Sequence, residues 1–324
     1  MTRSSGKAIL QLSIILILVA VGLWCTMKKN PQAPGKASET SVTKSGAKPI
    51  PANETEWEKY TRQADGLAAN DQLPDAVAMY KEALKVNADH AVAHANLATA
   101  LLRLEKSDEA KEHLDAALKS DPGLTSAQVN LALLKLGKGQ QSEALALLET
   151  ALKSAPEVPE VHRNLGLIYY ETRQFAKAVE HYTKLTEILP KDGAAFLSLG
   201  LAQIENGELE SAPAHLQKAT ELPDPSARAF TNLSRVLAIA PNPQLRDPER
   251  AIALAEKAVA MTEKANLPAA LRILALAQAA KRDFDAAIVT IRRAIALAEE
   301  AKDDAAAQRL LLDQLDLEGG KPLR

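Results

Sequence analysis

Asn96, Asn130, Asn164 and Asn232 share one register of the chain, and Ser198 fills that register between them, so four carboxamides and a hydroxyl recur in steps of 34 residues. A carboxamide donates through its N–H groups and accepts through its C=O, so one such group can pair with both halves of an extended peptide unit. Repeated once per structural unit, the row would hold main chain without reading side chains. The plainer reading is that asparagine is merely tolerated at a half-exposed helical position. Asparagine is a poor helix former, however, and its recurrence asks for something that offsets the cost. Arg62 and Ile273 interrupt the row in the first and last units, which confines any grip to the middle of the chain. Arg163, Tyr170, Arg228, Arg235 and Arg272 fall on the same helical faces. Guanidiniums there suit carboxylates or a peptide C-terminus, with solvated surface charge as the alternative.

The histidines invite a metal reading and do not support one. His113, His181 and His215 share a register 34 or 68 residues apart, which distributes them over different units and, by expectation, over the outer surface. His94 and His162 stand where a bulky side chain packs. The H-E-x-x-H, G-x-x-x-x-G-K-[ST] and G-x-S-x-G patterns are all missing, so no catalytic residue, cofactor or metal is expected and the chain reads as a non-enzyme.

What must position these side chains is written in three ladders of small residues with the same period. Ala76, Ala110, Ala144, Ala178 and Ala212 form the first; Ala64, Ala98, Ala132, Gly166, Gly200 and Ser234 the second; Ala83, Ala117, Ala151 and Ala219 the third. Small residues sit where two antiparallel helices cross, since a larger side chain would force the axes beyond about 8–10 Å. Leu97, Leu101, Leu114, Leu131, Leu148, Leu152, Leu165, Tyr169 and Tyr182 fill the spaces between crossings. Pro122, Pro156 and Pro190 end each pair, because proline cannot continue the preceding helix.

This pattern resembles the tetratricopeptide repeat, and the stretch from Leu165-Gly166 through Tyr169, Ala178 and Tyr182 to Pro190 resembles it most fully. The resemblance implies an all-α, right-handed α-solenoid of about seven helix pairs. Repeats are expected at 57–90, 91–124, 125–158, 159–192 and 193–226. In the sixth, the alanine that opens the second helix is displaced from position 246 to Ala251 by an insertion around 241–248. The seventh opens near Pro268 with a second helix over about 285–299. A capping helix over about 301–317 should cover the open end with Leu310, Leu311, Leu312, Leu315 and Leu317. Segment 239–324 also resembles the closing module of large bacterial membrane-associated repeat proteins. The asparagine row is similar to that in the repeat region of the O-GlcNAc transferase family, where asparagine before Leu-Gly or Leu-Ala holds peptide main chain. Carried over, that role falls on Asn96, Asn130, Asn164 and Asn232, with Ser198 departing from it. The resemblance implies a protein or peptide partner lying in a concave groove, without a catalytic domain.

The net charge of −2 conceals an asymmetry: residues 1–50 carry seven Lys or Arg against one Glu, and the remainder carries 32 basic and 40 acidic residues. A mildly acidic repeat region argues against nucleic acid as a partner. Between Lys7 and Lys28 lie 20 uncharged residues rich in Ile, Leu and Val. That length spans a bilayer, which needs about 20 residues, and it exceeds the usual apolar region of a cleaved signal peptide. Trp24 before Cys25 disfavours lipidation at that cysteine. The expected organisation is an N-terminal transmembrane anchor (1–27), a flexible linker (28–55) rich in Lys, Pro, Ser and Thr, a solenoid (56–300), and a capping helix and tail (301–324). The charges flanking the span nearly cancel, and the expectation leans to a single-pass membrane protein with its repeats on the extracytoplasmic, periplasmic side. A membrane-proximal binding module is the first functional expectation. A self-associating scaffold is the alternative.

Overall fold

Every regular element in residues 54–323, the part of the chain that the computed structural model describes, is a helix. The expected transmembrane segment 1–27 lies outside the described residues, as does the linker up to residue 53. Among the described residues, no helix is long and apolar enough to cross a membrane. Among the described residues, fifteen α-helices form seven pairs and a closing element. The pairs are α1 (Glu56–Ala69) with α2 (Leu73–Val86), α3 (Ala91–Arg103) with α4 (Ser107–Ser120), and α5 (Thr125–Gly137) with α6 (Gln141–Ser154). They continue with α7 (Pro159–Glu171) and α8 (Phe175–Ile188), α9 (Gly193–Asn206) and α10 (Ala212–Glu221), α11 (Ala227–Ile239) and α12 (Pro248–Met261), and α13 (Leu267–Ala280) and α14 (Phe284–Glu300). Helix α15 (Asp304–Glu318) closes the series. The chain divides between Val161 and His162 into two compact units. In the first, each helix from α1 to α6 packs on its successor, and in the second the same holds from α8 to α15.

The ladders mark the crossings. Ala64, Ala76, Ala98, Ala110, Ala132, Ala144, Ala178, Ala212 and Ser234 have no exposed surface. At the α7–α8 crossing even a methyl group is excluded, since a Cβ on Gly166 would lie 2.7 Å from the Tyr182 ring. In the sixth pair Ser234 donates a hydrogen bond to the Ala251 carbonyl at 2.8 Å, so the displaced alanine still meets its ladder partner. Between crossings, Leu97, Leu101, Leu114, Leu148, Leu165 and Leu216 are fully buried. Each contributes about 1.5–3 kcal/mol of apolar transfer.

A further period lies in the turns within pairs. Asp71, Glu105, Gly139, Arg173 and Gly207, spaced by 34 residues, all have left-handed backbone, with φ of 64°, 60°, 74°, 59° and 83°. The next position in that series is Pro241, whose ring locks φ near −65° and forbids the turn. The insertion follows from this. In place of a tight turn the chain makes a 3-10 turn over Pro243–Leu245, and Asp247 then caps α12 by accepting from the Arg250 N–H at 3.0 Å.

The closing helix departs from expectation. Leu310 and Leu317 are buried, but Leu311, Leu312 and Leu315 are 45%, 66% and 64% exposed. One helix presents a single face to α14, and the leucines spread around α15 cannot all reach it. Asp303 and Asp304 behave as expected of a helix start, Asp303 accepting from the Ala306 N–H at 3.0 Å.

Because non-glycine residues are strained in the left-handed region, Glu105→Gly and Arg173→Gly should each raise stability by about 0.5–1 kcal/mol, and Gly139→Val should lower it by more. Urea denaturation followed by circular dichroism measures all three. Gly166→Ala should cost about 1–3 kcal/mol despite alanine's better helix propensity, because the Tyr182 ring must move.

Candidate functional site

The residues of the asparagine register all lie on first helices of their pairs, but their side chains are not equivalent. In the first unit they join consecutive first helices. Asn96 Nδ2 on α3 donates to Asp65 Oδ1 on α1 at 3.1 Å, and the same oxygen accepts from the Tyr80 hydroxyl on α2 at 2.5 Å. Burial and this acidic partner hold the Tyr80 phenol well above its usual value. Asn130 Nδ2 on α5 donates to Thr99 Oγ1 on α3 at 2.8 Å. The donor half of each carboxamide therefore fastens one pair to the preceding one, while both acceptor oxygens sit on half-exposed residues.

In the second unit the register turns inward on itself. Asn164 is buried, at 9% exposure. Ser198 donates to the Ala194 carbonyl one turn earlier at 2.9 Å, and Asn232 donates to the Arg228 carbonyl at 2.8 Å. Such back-bonding satisfies a polar side chain within its own helix.

The cations expected on these faces also separate. Arg163 is paired with Asp192 at 2.9 Å, the residue that also caps α9 through the Ala194 N–H. Arg272 does not face open solvent as a free cation; it forms a two-pronged pair with Asp313 of α15, at 2.6 and 3.2 Å, that ties the last pair to the closing helix. Arg228 and Arg235 remain. They stand two turns apart on α11, and among the described residues neither guanidinium has an acidic partner within ion-pair distance; Arg235 only donates to Asn232 Oδ1 at 3.3 Å. Both charges act on the half-buried Tyr170 at the end of α7. Burial raises the Tyr170 phenol, Glu205 adds to the rise, and the two arginines oppose it. Tyr170, Glu205, Asn232, Arg228 and Arg235 thus form one neighbourhood of the second unit, cationic and half-exposed.

The histidines were expected on the outer surface at His113, His181 and His215, and the structure corrects this. His113 Nδ1 lies 2.9 Å from His94 Nδ1, His181 Nδ1 lies 3.2 Å from His162 Nδ1, and His215 Nδ1 lies 2.7 Å from Gln203 Oε1. They bridge the two helices of their own pairs. For His113 and His181 the partner is the residue 19 positions earlier, and for His215 it is the residue 12 positions earlier, spacings that the 34-residue register conceals because it compares pairs rather than the helices within one. His94 Nε2 is 2.9 Å from the Ala88 carbonyl, which can only accept, so the proton sits on Nε2 and Nδ1 accepts from His113. Among the described residues no group of three or more His, Cys, Asp or Glu side chains is arranged to hold a metal ion.

Helix pairs that pack one on the next within each unit define a helical-repeat protein. Residues 67–136 match one tetratricopeptide-repeat family model, and residues 129–193 and 173–227 match another. No curated protein matches the sequence. Among solved structures, PilF of Pseudomonas aeruginosa is 20% identical with a TM-score of 0.56, over 62% of this chain and 89% of that one. The C-terminal part of a repeat-containing protein from Cytophaga hutchinsonii is 20% identical with a TM-score of 0.55, over 73% and 95%. A tetratricopeptide repeat protein from Parabacteroides merdae is 18% identical with a TM-score of 0.52, over 79% and 98%. These likenesses concern the fold. Proteins of this repeat class generally mediate protein–protein interactions and are typically not catalysts.

The histidine pairs set a pH dependence. Burial first, and the neighbouring imidazole second, hold His113 and His181 below the ordinary value of 6.5. Glu109 and Glu112 oppose this at His113, as does Glu180 at His181, while Lys81 and Lys177 reinforce it. The unfolded chain therefore takes up these protons before the folded one does. Stability should be constant above about pH 6.5 and fall as pH drops below it. The midpoint of thermal unfolding between pH 8 and 5 reports this, and His113→Leu with His181→Leu, the residue type that Leu147 supplies at the same register, should flatten the profile.

Proposed function

We propose that this chain is a tethered interaction module that holds an extended segment of a partner protein along the first helices of its repeats, as an assembly or scaffold factor close to a membrane. The observation that carries the reading is the pair of guanidiniums at Arg228 and Arg235, which lack acidic partners among the described residues and flank Asn232 and Tyr170. Exposed cations beside a tyrosine and a carboxamide can take a peptide's carbonyl groups, an acidic side chain or a C-terminal carboxylate. Tyrosine and arginine are also the side chains that dominate binding energy at interfaces. In the first unit the acceptor oxygens of Asn96 and Asn130 would receive main-chain N–H groups, their own N–H groups being used within the stack. Arg163, Asn164 and Ser198 support the surface rather than form its free contacts.

The tether is the uncharged segment 8–27 with the polar stretch after it, long enough to span a bilayer and then to hold the repeats away from its surface. An extracytoplasmic, periplasmic position of the repeats belongs to this proposal. Self-association draws on another surface, the outer face of α15.

Alanine at Asn96 or Asn130 would loosen the stack as well as the grip, so the discriminating variant is Arg228→Ala with Arg235→Ala, which touches no ion pair. A peptide selected from a random display library against the full chain should lose at least about tenfold in affinity for this variant by fluorescence anisotropy, with helicity unchanged. Equal affinity for both proteins would remove the arginine site from the proposal.

A further inference from the structure

The closing helix of a repeat stack normally turns a polar face outward, because that face has no neighbour to cover it. Helix α15 does not. Its inner stripe, with Ala307, Leu310 and Leu317, is buried against the body. The opposite stripe runs through Ala305, Gln308, Leu312, Leu315 and Gly319, at intervals of three, four, three and four residues, and all five are exposed. Alternating steps of three and four are the spacing by which one helix seats against another in a coiled coil. Leu311, also exposed, widens the stripe on one side. On its other side stand Arg309 and Asp316.

We infer that the outer face of α15 is an interface between two copies of this chain, paired antiparallel about a twofold axis that passes between Leu312 and Leu315. The charges on the page fit this occupant. In an antiparallel helix pair, flanking residues of the same heptad position face each other, which brings Arg309 of each copy against Asp316 of the other. Arg309 has no ion pair within its own chain among the described residues, and Asp316 reaches only Lys321, at 4.0 Å with both side chains mostly exposed. Both charges are thus available across the axis, and the twofold makes each pair occur twice. The same register places Leu312 of one copy on Leu315 of the other. A parallel pairing would instead face each Arg309 with Asp304 and each Asp316 with Leu311, leaving the Asp316 charges without a partner, whereas the antiparallel pairing satisfies both. One helix from each copy is a small contact, so the association is weak and exchangeable.

The charge arrangement supplies a test that a merely sticky face would fail. Differently tagged copies of the full chain are co-expressed in pairs, extracted in mild detergent, and one tag is captured while the other is quantified. Unmodified copies should recover each other. Leu312→Glu with Leu315→Glu in both copies should reduce recovery at least about tenfold. R309D paired with R309D, and D316R paired with D316R, should each be recovered poorly, since every cross-axis pair then has like charges. R309D paired with D316R should recover the second tag as well as unmodified chain does, because both pairs are again of opposite sign. Circular dichroism of each variant checks that helicity is kept; the substituted side chains are solvent-exposed. The inference is overturned if the glutamate variant is recovered like unmodified chain, which would place self-association elsewhere, for instance on residues 8–27. It is equally overturned if the mixed charge pair is recovered no better than either variant with itself.

Discussion

Two helices approach within about 8–10 Å only where neither carries more than a small side chain at the crossing, and that constraint governs this chain. Ala64, Ala98 and Ala132 on first helices, and Ala76, Ala110, Ala144 and Ala178 on second helices, meet it with no surface left exposed, and Gly166 is likewise buried. Everything else is arranged around those crossings. The leucines beside them are buried because the crossings bring the helices close. The first helices carry their polar registers on the faces that remain. Gly166 shows how tight the fit is, since the Tyr182 ring fills the volume that a methyl group would need.

The turns add a second constraint of the same origin. A crossing of fixed geometry requires a fixed reversal between the two helices, and a left-handed residue at Asp71, Glu105, Gly139, Arg173 and Gly207 supplies it. Only two of the five are glycine, so the stack imposes strain on three residues that would avoid this conformation in isolation. Where proline arrives at position 241 the reversal is unavailable, and a longer loop with its own aspartate cap takes over. The Ser234–Ala251 contact survives the change. The crossing is therefore kept and the loop adapts to it.

Polar side chains on such a scaffold serve two ends, and the structure separates them. Asn96, Asn130, Arg163 and Arg272 fasten neighbouring elements through Asp65, Thr99, Asp192 and Asp313. Arg228 and Arg235 fasten nothing acidic among the described residues. A cation engaged within the fold has already given up hydration for its partner, whereas one without a partner can still do so for a ligand. The cations left without an acidic partner among the described residues accordingly lie in the second unit, on the helix that also carries Asn232 of the asparagine register.

The number of helix pairs, the positions of the crossings and the site of the loop insertion were legible in the residues alone. Each is set by local geometry that recurs every 34 positions, and recurrence makes a weak local signal strong. Partners were not legible. Asn96 finds Asp65 at 31 residues' distance, and His113 finds His94 at 19, because neighbouring helices lie side by side; neither spacing is the period itself. Nor could the chain show which leucines of α15 turn inward. Leu310 and Leu317 are buried while Leu312 and Leu315 are not, and in a helix with leucine on several sides the hydrophobic pattern is ambiguous. The docking of α15 against α14 resolves it, since burial belongs to a pair of surfaces and a sequence describes only one at a time.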